Sequence, residues 1–461
     1  MIYLASKENK GVLNMNSFIK KIKTFELNPP RVLALGFASM IMIGALLLNL
    51  PFATQNGESI GFINALFTAS SAVCVTGLVV VNTAEYWSLF GQIVIIILIQ
   101  IGGLGVMTMA TAGALVIGKK ITLRERLVIK EQLNQTTMSG LVKLTIYVLL
   151  STFAIEAIGA VVLSFKFIPI YGVKSGIWQS IFHSISAFCN AGFDITGSSM
   201  SPFVGDLLVN GVISVLVILG GLGFAVFLDI FKFKGFKRLK LHTKFVLSLT
   251  AILLVLGTVV FMFTEYTNPN TIGNISMKNK LISSFFQSVV TRTAGFNSVN
   301  IGGLRDTTVF FFIILMFIGG SPGSTAGGIK TTTFGILMLT TISVIRGNRD
   351  VTVFKRRIGE DVINRSLAIV TVGITWIIIV ATILTITESG GFLDLLFETT
   401  SAFATVGLSR GLTPELSNIG KVIIALTMYV GRLGALTMAF AFAQKNQVSK
   451  YRYTEGKIIV G

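Results

Sequence analysis

The sequence predicts an all-α integral membrane protein: four helix–re-entrant loop–helix units of the same topology around a central pore, giving eight spanning helices with pseudo-fourfold symmetry. Three observations predict it. The chain of 461 residues is 52% hydrophobic and only 13% charged, against roughly 25% charged in soluble domains. Its basic residues gather beside apolar runs of membrane length. Four short, self-similar segments recur between those runs.

The 38 basic and 20 acidic residues give a formal charge of +18. Position decides what that charge means. Lys20, Lys21, Lys23 and Arg31 precede the first apolar run, and Lys119, Lys120, Arg124, Arg126 and Lys130 follow the second. Lys232, Lys234, Lys237, Arg238, Lys240 and Lys244 form a third cluster. Arg346, Arg349, Lys355, Arg356, Arg357 and Arg365 form a fourth, and Lys445, Lys450, Arg452 and Lys457 lie near the end. The stretches 52–60, 197–203 and 297–304 carry almost no basic residues. This asymmetry is the positive-inside pattern and places both termini in the cytoplasm. No basic cluster sits on a soluble domain of useful size, which argues against nucleic acid as a partner.

A spanning helix needs about 20 apolar residues. Candidates run over 32–52, 89–117, 141–163, 207–231, 245–263, 309–345, 367–386 and 419–442, the sixth too long for one unbroken helix. Between the members of each pair lies a stretch too short to cross and too apolar for an ordinary loop: 62–78, 177–193, 281–296 and 392–408.

These four stretches match one another. Their endings read Val75-Thr76-Gly77-Leu78, Asn190-Ala191-Gly192-Phe193, Thr293-Ala294-Gly295-Phe296 and Thr405-Val406-Gly407-Leu408. Upstream, each carries an apolar, aromatic-rich turn and then small hydroxylated residues, as in Phe67-Thr68-Ala69-Ser70 and Phe397-Glu398-Thr399-Thr400. The glycines recur at roughly 100–115 residues, a period that outranks any local reading. Each unit begins and ends on the basic side, which suits a ring around a pore rather than an inverted-repeat transporter.

Non-helical backbone at membrane depth is tolerated only where protein or water covers it. Four such segments in a ring can line a water-filled axis, with the carbonyl ends of four short helices aimed at it. A ring of backbone carbonyls can replace the hydration shell of a potassium ion. Glycine reaches the required backbone angles and leaves no side chain in the path.

With these segments, the chain resembles the Trk/Ktr/HKT superfamily of potassium transporters, most closely its KtrB-type membrane subunits. The resemblance covers essentially the whole sequence. It is carried by the four endings and by the run Gly319-Gly320-Ser321-Pro322-Gly323-Ser324-Thr325-Ala326-Gly327-Gly328-Ile329-Lys330-Thr331. It implies a filter of Val75, Thr76, Gly77, Asn190, Ala191, Gly192, Thr293, Ala294, Gly295, Thr405, Val406 and Gly407, binding K+ through backbone carbonyls. In some plant relatives a serine at the first filter glycine goes with sodium selectivity, so four glycines favour potassium. A less selective or sodium-conducting channel of the same fold is the alternative. The resemblance further implies a homodimer on a cytosolic, KtrA-like ring of RCK-type regulatory subunits, with nucleotide bound only by that ring. It places the chain in a bacterial plasma membrane, surrounded by lipid, with no cofactor of its own, K+ as the permeant ion and Na+ as a candidate coupled ion. A unit starting near Arg31, with no extra helix pair ahead, fits the Ktr type better than the Trk type.

The expected organisation is a cytoplasmic segment 1–30, pore units 31–120, 121–240, 241–350 and 351–445, and a tail 446–461. The tail residues 451–461 resemble the family's segment at the dimer interface. Within the third unit, Gly319–Gly328 interrupts the long run 309–345, since glycine and proline break helices. It reads either as a packing kink or as an intramembrane gate below the filter, and the resemblance favours the gate, formed by residues 319–328 with Lys330 and Arg432. Gly323 and Gly328 have phosphate-loop spacing, but Ile329 stands where that motif needs lysine, so nucleotide binding there is rejected. Arg432, inside the last span, is expected to face the pore beneath the filter, a charge at that depth being costly elsewhere.

Arg292 is expected to point off the axis, towards pore-helix carbonyls. Glu156 and Glu398 are buried acids whose partners the sequence leaves open. Gly102-Gly103-Leu104-Gly105 and Gly220-Gly221-Leu222-Gly223 read as sites of close helix approach. Cys74, Cys189, His183 and His242 read as ordinary packing residues. No cluster of catalytic polar residues shares one depth, so the chain is not expected to be an enzyme.

Overall fold

The computed structural model describes residues 29–117, 121–132, 140–231, 235–434 and 437–438. Most of the expected N-terminal segment, the whole tail 446–461, and the basic residues Lys119, Lys120, Lys232 and Lys234 lie outside these.

Each unit opens with a long outer helix: Pro29–Leu48, Leu141–Tyr171, Leu241–Glu265 and Glu360–Thr387. These four are long and apolar enough to cross a bilayer. Large side chains such as Leu150, Ile158, Phe165 and Val259 stand exposed on them. In water such a surface would drive aggregation; in a bilayer it meets acyl chains at no cost. A short pore helix follows in each unit: Phe62–Cys74, Val173–Phe188, Met277–Val290 and Phe392–Ala404. The second and third begin four residues earlier than the apolar pattern suggests.

The inner helices depart from the expected simple spans. Residues 89–117 and 207–231 are not single helices. Leu89–Leu104 bends by 97° into Val106–Val116, and Leu207–Leu222 bends by 102° into Phe224–Phe231. The pivots, Gly105 and Gly223, have φ of 86° and 92°, left-handed values that side chains resist. A helix not foreseen, Leu123–Gln132, supports the first bend. There Gln132 accepts the Met107 N–H at 2.8 Å and donates to the Leu104 carbonyl and Thr108 hydroxyl at 3.1 and 2.7 Å. Backbone groups freed by the break are thus satisfied, as a buried chain requires.

In the third unit the inner helix splits into Asp306–Phe317 and Thr331–Ile345. The last inner helix is Asn418–Leu433. A small hairpin, Thr352–Val353 paired with Arg356–Arg357, joins units three and four and is the only sheet among the described residues.

The units close into a ring. The first inner helix packs on the pore helices of units one and two, and the second on those of units two and three. The third packs on the fourth pore helix. The fourth packs on its own pore helix and on that of unit one. At matched positions the pore helices bury Phe67, Phe182, Phe286 and Phe397 completely. The large residues after the four repeated glycines, Leu78, Phe193, Phe296 and Leu408, are buried as well.

Candidate functional site

The four glycine segments leave their pore helices by the same backbone route. Two residues before each glycine the chain is left-handed: Val75 at φ 57°, Asn190 at 60°, Thr293 at 72° and Thr405 at 52°. The glycines follow at 94°, 69°, 70° and 90°. Left-handed backbone costs a residue with a Cβ roughly 1–2 kcal/mol, so four repetitions indicate a conformation held by its surroundings. Capping bonds help to hold it. The Thr76, Ala191 and Val406 N–H groups each donate at 2.8 Å to a pore-helix carbonyl, those of Ser71, Ser186 and Ser401. The Gly77 and Gly407 N–H groups donate to the Ser71 and Ser401 hydroxyls at 3.0 and 3.1 Å. Unit three differs: it is one residue shorter between its buried phenylalanine and its glycine, and Ala294 N–H donates to the Val290 carbonyl, four residues back rather than five.

The segments come together in cyclic order. A Cβ on Gly77 would overlap the Ala191 carbonyl oxygen, and one on Gly192 would lie 2.6 Å from that of Ala294. One on Gly295 would lie 2.9 Å from the Val406 oxygen, and one on Gly407 would overlap that of Thr76. Each glycine therefore faces the carbonyl preceding the next glycine, and the fourth returns to the first. Alternation of handedness turns neighbouring carbonyls to one side of the chain, where a regular strand would alternate them. The four glycines and the residue before each meet in this collar. Four of its buried polar side-chain atoms, Thr76 Oγ1, Asn190 Nδ2, Thr293 Oγ1 and Thr405 Oγ1, have no protein partner. Groups of that kind cost roughly 1–3 kcal/mol each unless water or an ion meets them.

The glycine-rich run lies against this collar. It spans 318–330, slightly more than the expected 319–328, between the halves of the third inner helix. Gly319 N–H donates to the Ile329 carbonyl at 2.9 Å and Thr331 N–H to that of Gly320 at 3.0 Å, pinching its base. Ser321 and Thr331 hydroxyls meet at 3.1 Å, and Ser324 donates to the Ser321 carbonyl at 2.6 Å. Lys330 Nζ donates to the Ala326 carbonyl at 2.7 Å. Outward ties are equally specific. Thr325 Oγ1 donates to Asn190 Oδ1 at 2.9 Å, and Ser321 and Thr325 N–H groups donate to the Gly221 and Gly220 carbonyls. A Cβ on Gly327 would overlap Thr405 Oγ1, and one on Gly223 would lie 2.6 Å from the Pro322 oxygen. The run thus touches the second and fourth glycine segments together.

Arg432 crosses the same space. One Nη bonds the Thr325 carbonyl; the other bonds those of Gly102 and Gly103 at 2.5 and 3.1 Å. These last two carbonyls end a helix, where the dipole favours a cation. Arg432 therefore ties the run to the first inner helix across a cavity of about 210 Å³, lined among others by Gly103, Gly323, Ser324, Ala326, Gly328 and Lys330.

Close approach does explain the paired glycines. A Cβ on Gly102, Gly220 or Gly431 would overlap the carbonyl of Val73, Phe188 or Phe403, each at the end of a pore helix. The third member exposes a repeat the sequence reading missed. Gly431-Arg432-Leu433-Gly434 is the fourth-unit copy of Gly102-Gly103-Leu104-Gly105, with arginine in place of the second glycine. Gly434 shares its positive φ, 86°. Comparing the units just after the filters, rather than only at them, would have found it.

Other singled-out residues fall nearby. Glu156 accepts Gln100 Nε2 through both oxygens at 3.1 and 3.2 Å, joining unit two to the first inner helix, with Cys189 3.8 Å away. Glu398 accepts the Thr413 hydroxyl. Arg292 does not reach pore-helix carbonyls as expected: its Nε is unpartnered, and its side chain lines a small cavity with Thr250, Leu254 and Gly320, off the collar. Cys74 and Cys189 are free and buried, His183 is buried near the second filter segment, and His242 is exposed.

Comparison with known proteins fits this architecture. Residues 36–451 match the family model TrkH, described as a cation transport protein. The "Ktr system potassium uptake protein B" of Bacillus subtilis is 45% identical over 96% of this chain and 99% of its own length. The "Potassium/sodium uptake protein NtpJ" of Enterococcus hirae is 42% identical over 96% of this chain and 100% of its own. Among solved structures, the potassium transporter TrkH of Vibrio parahaemolyticus aligns with a TM-score of 0.72 at 19% identity, over 91% of this chain and 86% of that one. Such a match speaks for the fold alone. The chain belongs to the TrkH family of cation transport proteins, beside its Ktr-type membrane subunits, and is a multi-pass membrane transporter and not an enzyme.

Proposed function

We propose that the chain is the ion-translocating subunit of a Ktr-type potassium uptake system. K+ passes down its electrochemical gradient through the glycine collar, dehydrated by the carbonyls of the twelve residues at 75–77, 190–192, 293–295 and 405–407. The cyclic contact of the four glycine segments is the observation that carries this reading. The membrane potential supplies about 2.3 kcal/mol per charge per 100 mV. The unpartnered side-chain atoms of Thr293, Thr405 and Asn190 at the collar suit a hydrated ion path.

Residues 319–328, Lys330 and Arg432 form the gate in this account. The cation of Arg432, anchored on three carbonyls, closes the path below the collar until the run moves. The basic linkers face the cytoplasm with both termini and dock an RCK-type regulatory ring, which carries any nucleotide; two copies of this chain pair on it. The relative named for potassium and sodium uptake supports Na+ as a second permeant or coupled ion.

The test is growth of a potassium-uptake-deficient bacterium on limiting K+, with the regulatory partner of its relatives co-expressed. The native chain should restore growth. Gly77→Ser and Gly295→Ser should lose it or admit Na+, because a side chain at either position meets a neighbouring backbone. Growth restored equally by all three chains would overturn the filter reading.

A further inference from the structure

Behind the collar, each pore helix carries a residue immediately after its buried phenylalanine: Thr68, His183, Gln287 and Glu398. Two of the four reach the extended segment that follows the filter glycine, and a third, Glu398, reaches farther along the chain in its own unit. Ile195 N–H donates to His183 Nε2 at 3.4 Å. The ring's other nitrogen, Nδ1, lies 2.7 Å from the Gln179 carbonyl and so carries the proton, leaving Nε2 as acceptor. Gln287 Nε2 donates to Ser298 Oγ at 3.4 Å. Glu398 Oε1 accepts the Thr413 hydroxyl. Ile195 and Ser298 lie three residues beyond their glycines, and Thr413 six.

Unit one is built differently. Thr68 donates into its own helix, to the Asn64 carbonyl at 2.9 Å, and the strand beyond Gly77 is Val79-Val80-Val81. Gln287 Oε1 and Glu398 Oε2 are buried without a partner. A packing role alone gives no reason to retain such groups, because an apolar residue of similar shape removes the desolvation cost. Their geometry, each tethering the chain beyond a left-handed turn, does.

We infer that His183, Gln287 and Glu398 are positioning residues that hold three quarters of the collar at the spacing K+ requires. The inference rests on the collar being the selectivity filter. Strained backbone persists only where its surroundings over-determine it. Relaxation of one quarter would alter how well the carbonyls match K+ against the smaller Na+, whether by cavity size or by carbonyl number.

The experiment measures K+ and Na+ uptake side by side in proteoliposomes at matched protein amount. Glu398→Leu and Gln287→Leu should lower the K+/Na+ uptake ratio about fivefold, the scale of one lost hydrogen bond. Glu398→Gln should restore the native ratio, since glutamine serves at this position in unit three. Thr68→Val should leave it unchanged. Ser298→Ala and Thr413→Val remove only the partner and should lower the ratio about two- to threefold, so the test survives if the leucine variants fail to insert. Native ratios in both partner variants, or in both leucine variants, would overturn the inference. Gly77→Ser separates the two readings. A ratio moved by Gly77→Ser and not by the brace variants rejects the brace alone; one unmoved by Gly77→Ser rejects the filter.

Discussion

A single methyl group is the finest probe of this molecule. Gly102, Gly220 and Gly431 sit where three inner helices cross the carbonyl ends of three pore helices, and none leaves room for a Cβ. Gly220→Ala should cost at least about 1–3 kcal/mol, the usual range for overpacking, because its obstacle is backbone and not a flexible side chain. A lowered thermal midpoint of the detergent-purified protein would show it; an unchanged midpoint would contradict the packing described. At this scale much was legible beforehand. The four glycines of the collar stood out because each quarter repeats the same short phrase. Gly431-Arg432-Leu433-Gly434 escaped because the arginine masks its kinship with the glycine pairs of units one and two. The partners of Glu156 and Glu398 were out of reach for another reason. Gln100 precedes Glu156 by 56 residues, and no periodicity links them.

Elements show where apolar patterning stops being informative. Hydropathy located every outer and pore helix, since each needs a run of greasy residues. It merged 89–117 and 207–231 into single spans, because a right-angled bend at Gly105 or Gly223 alters direction without altering polarity. The interruption at 319–328 was visible through its glycine and proline content. Its contacts, through Thr325 to Asn190 and to Arg432, were not. Those contacts set the expected behaviour of the gate. Arg432→Ala removes one guanidinium that bonds three carbonyls on two elements. It should raise ion flux in liposomes lacking the regulatory ring, and Thr325→Val, which cuts the hydroxyl bond to Asn190, should raise it less. Flux equal to the native chain in both variants would remove the run from the gating account.

At the scale of the whole molecule, the ring explains why the chain is apolar yet rich in buried hydroxyls. Lipid takes the outer surface of the four long helices, while the hydroxyl-bearing ends of the pore helices turn inward. The fourth inner helix, packed on the first pore helix, closes the circle and lets four unlike sequences act as quarters of one site. Self-similarity at a regular period announced that closure; the inequality of the quarters did not follow from it. Unit three carries the shortened turn with Arg292 and the broken inner helix, unit four Arg432, and unit one the unbraced valine segment.

The most direct test is a structure of the protein soaked in Rb+, with the ion located by its anomalous scattering. The account predicts Rb+ density on the collar's axis, ringed by the carbonyl oxygens of Thr76, Ala191, Ala294 and Val406. Ordered Rb+ only elsewhere in the molecule, with none inside that ring, would contradict it.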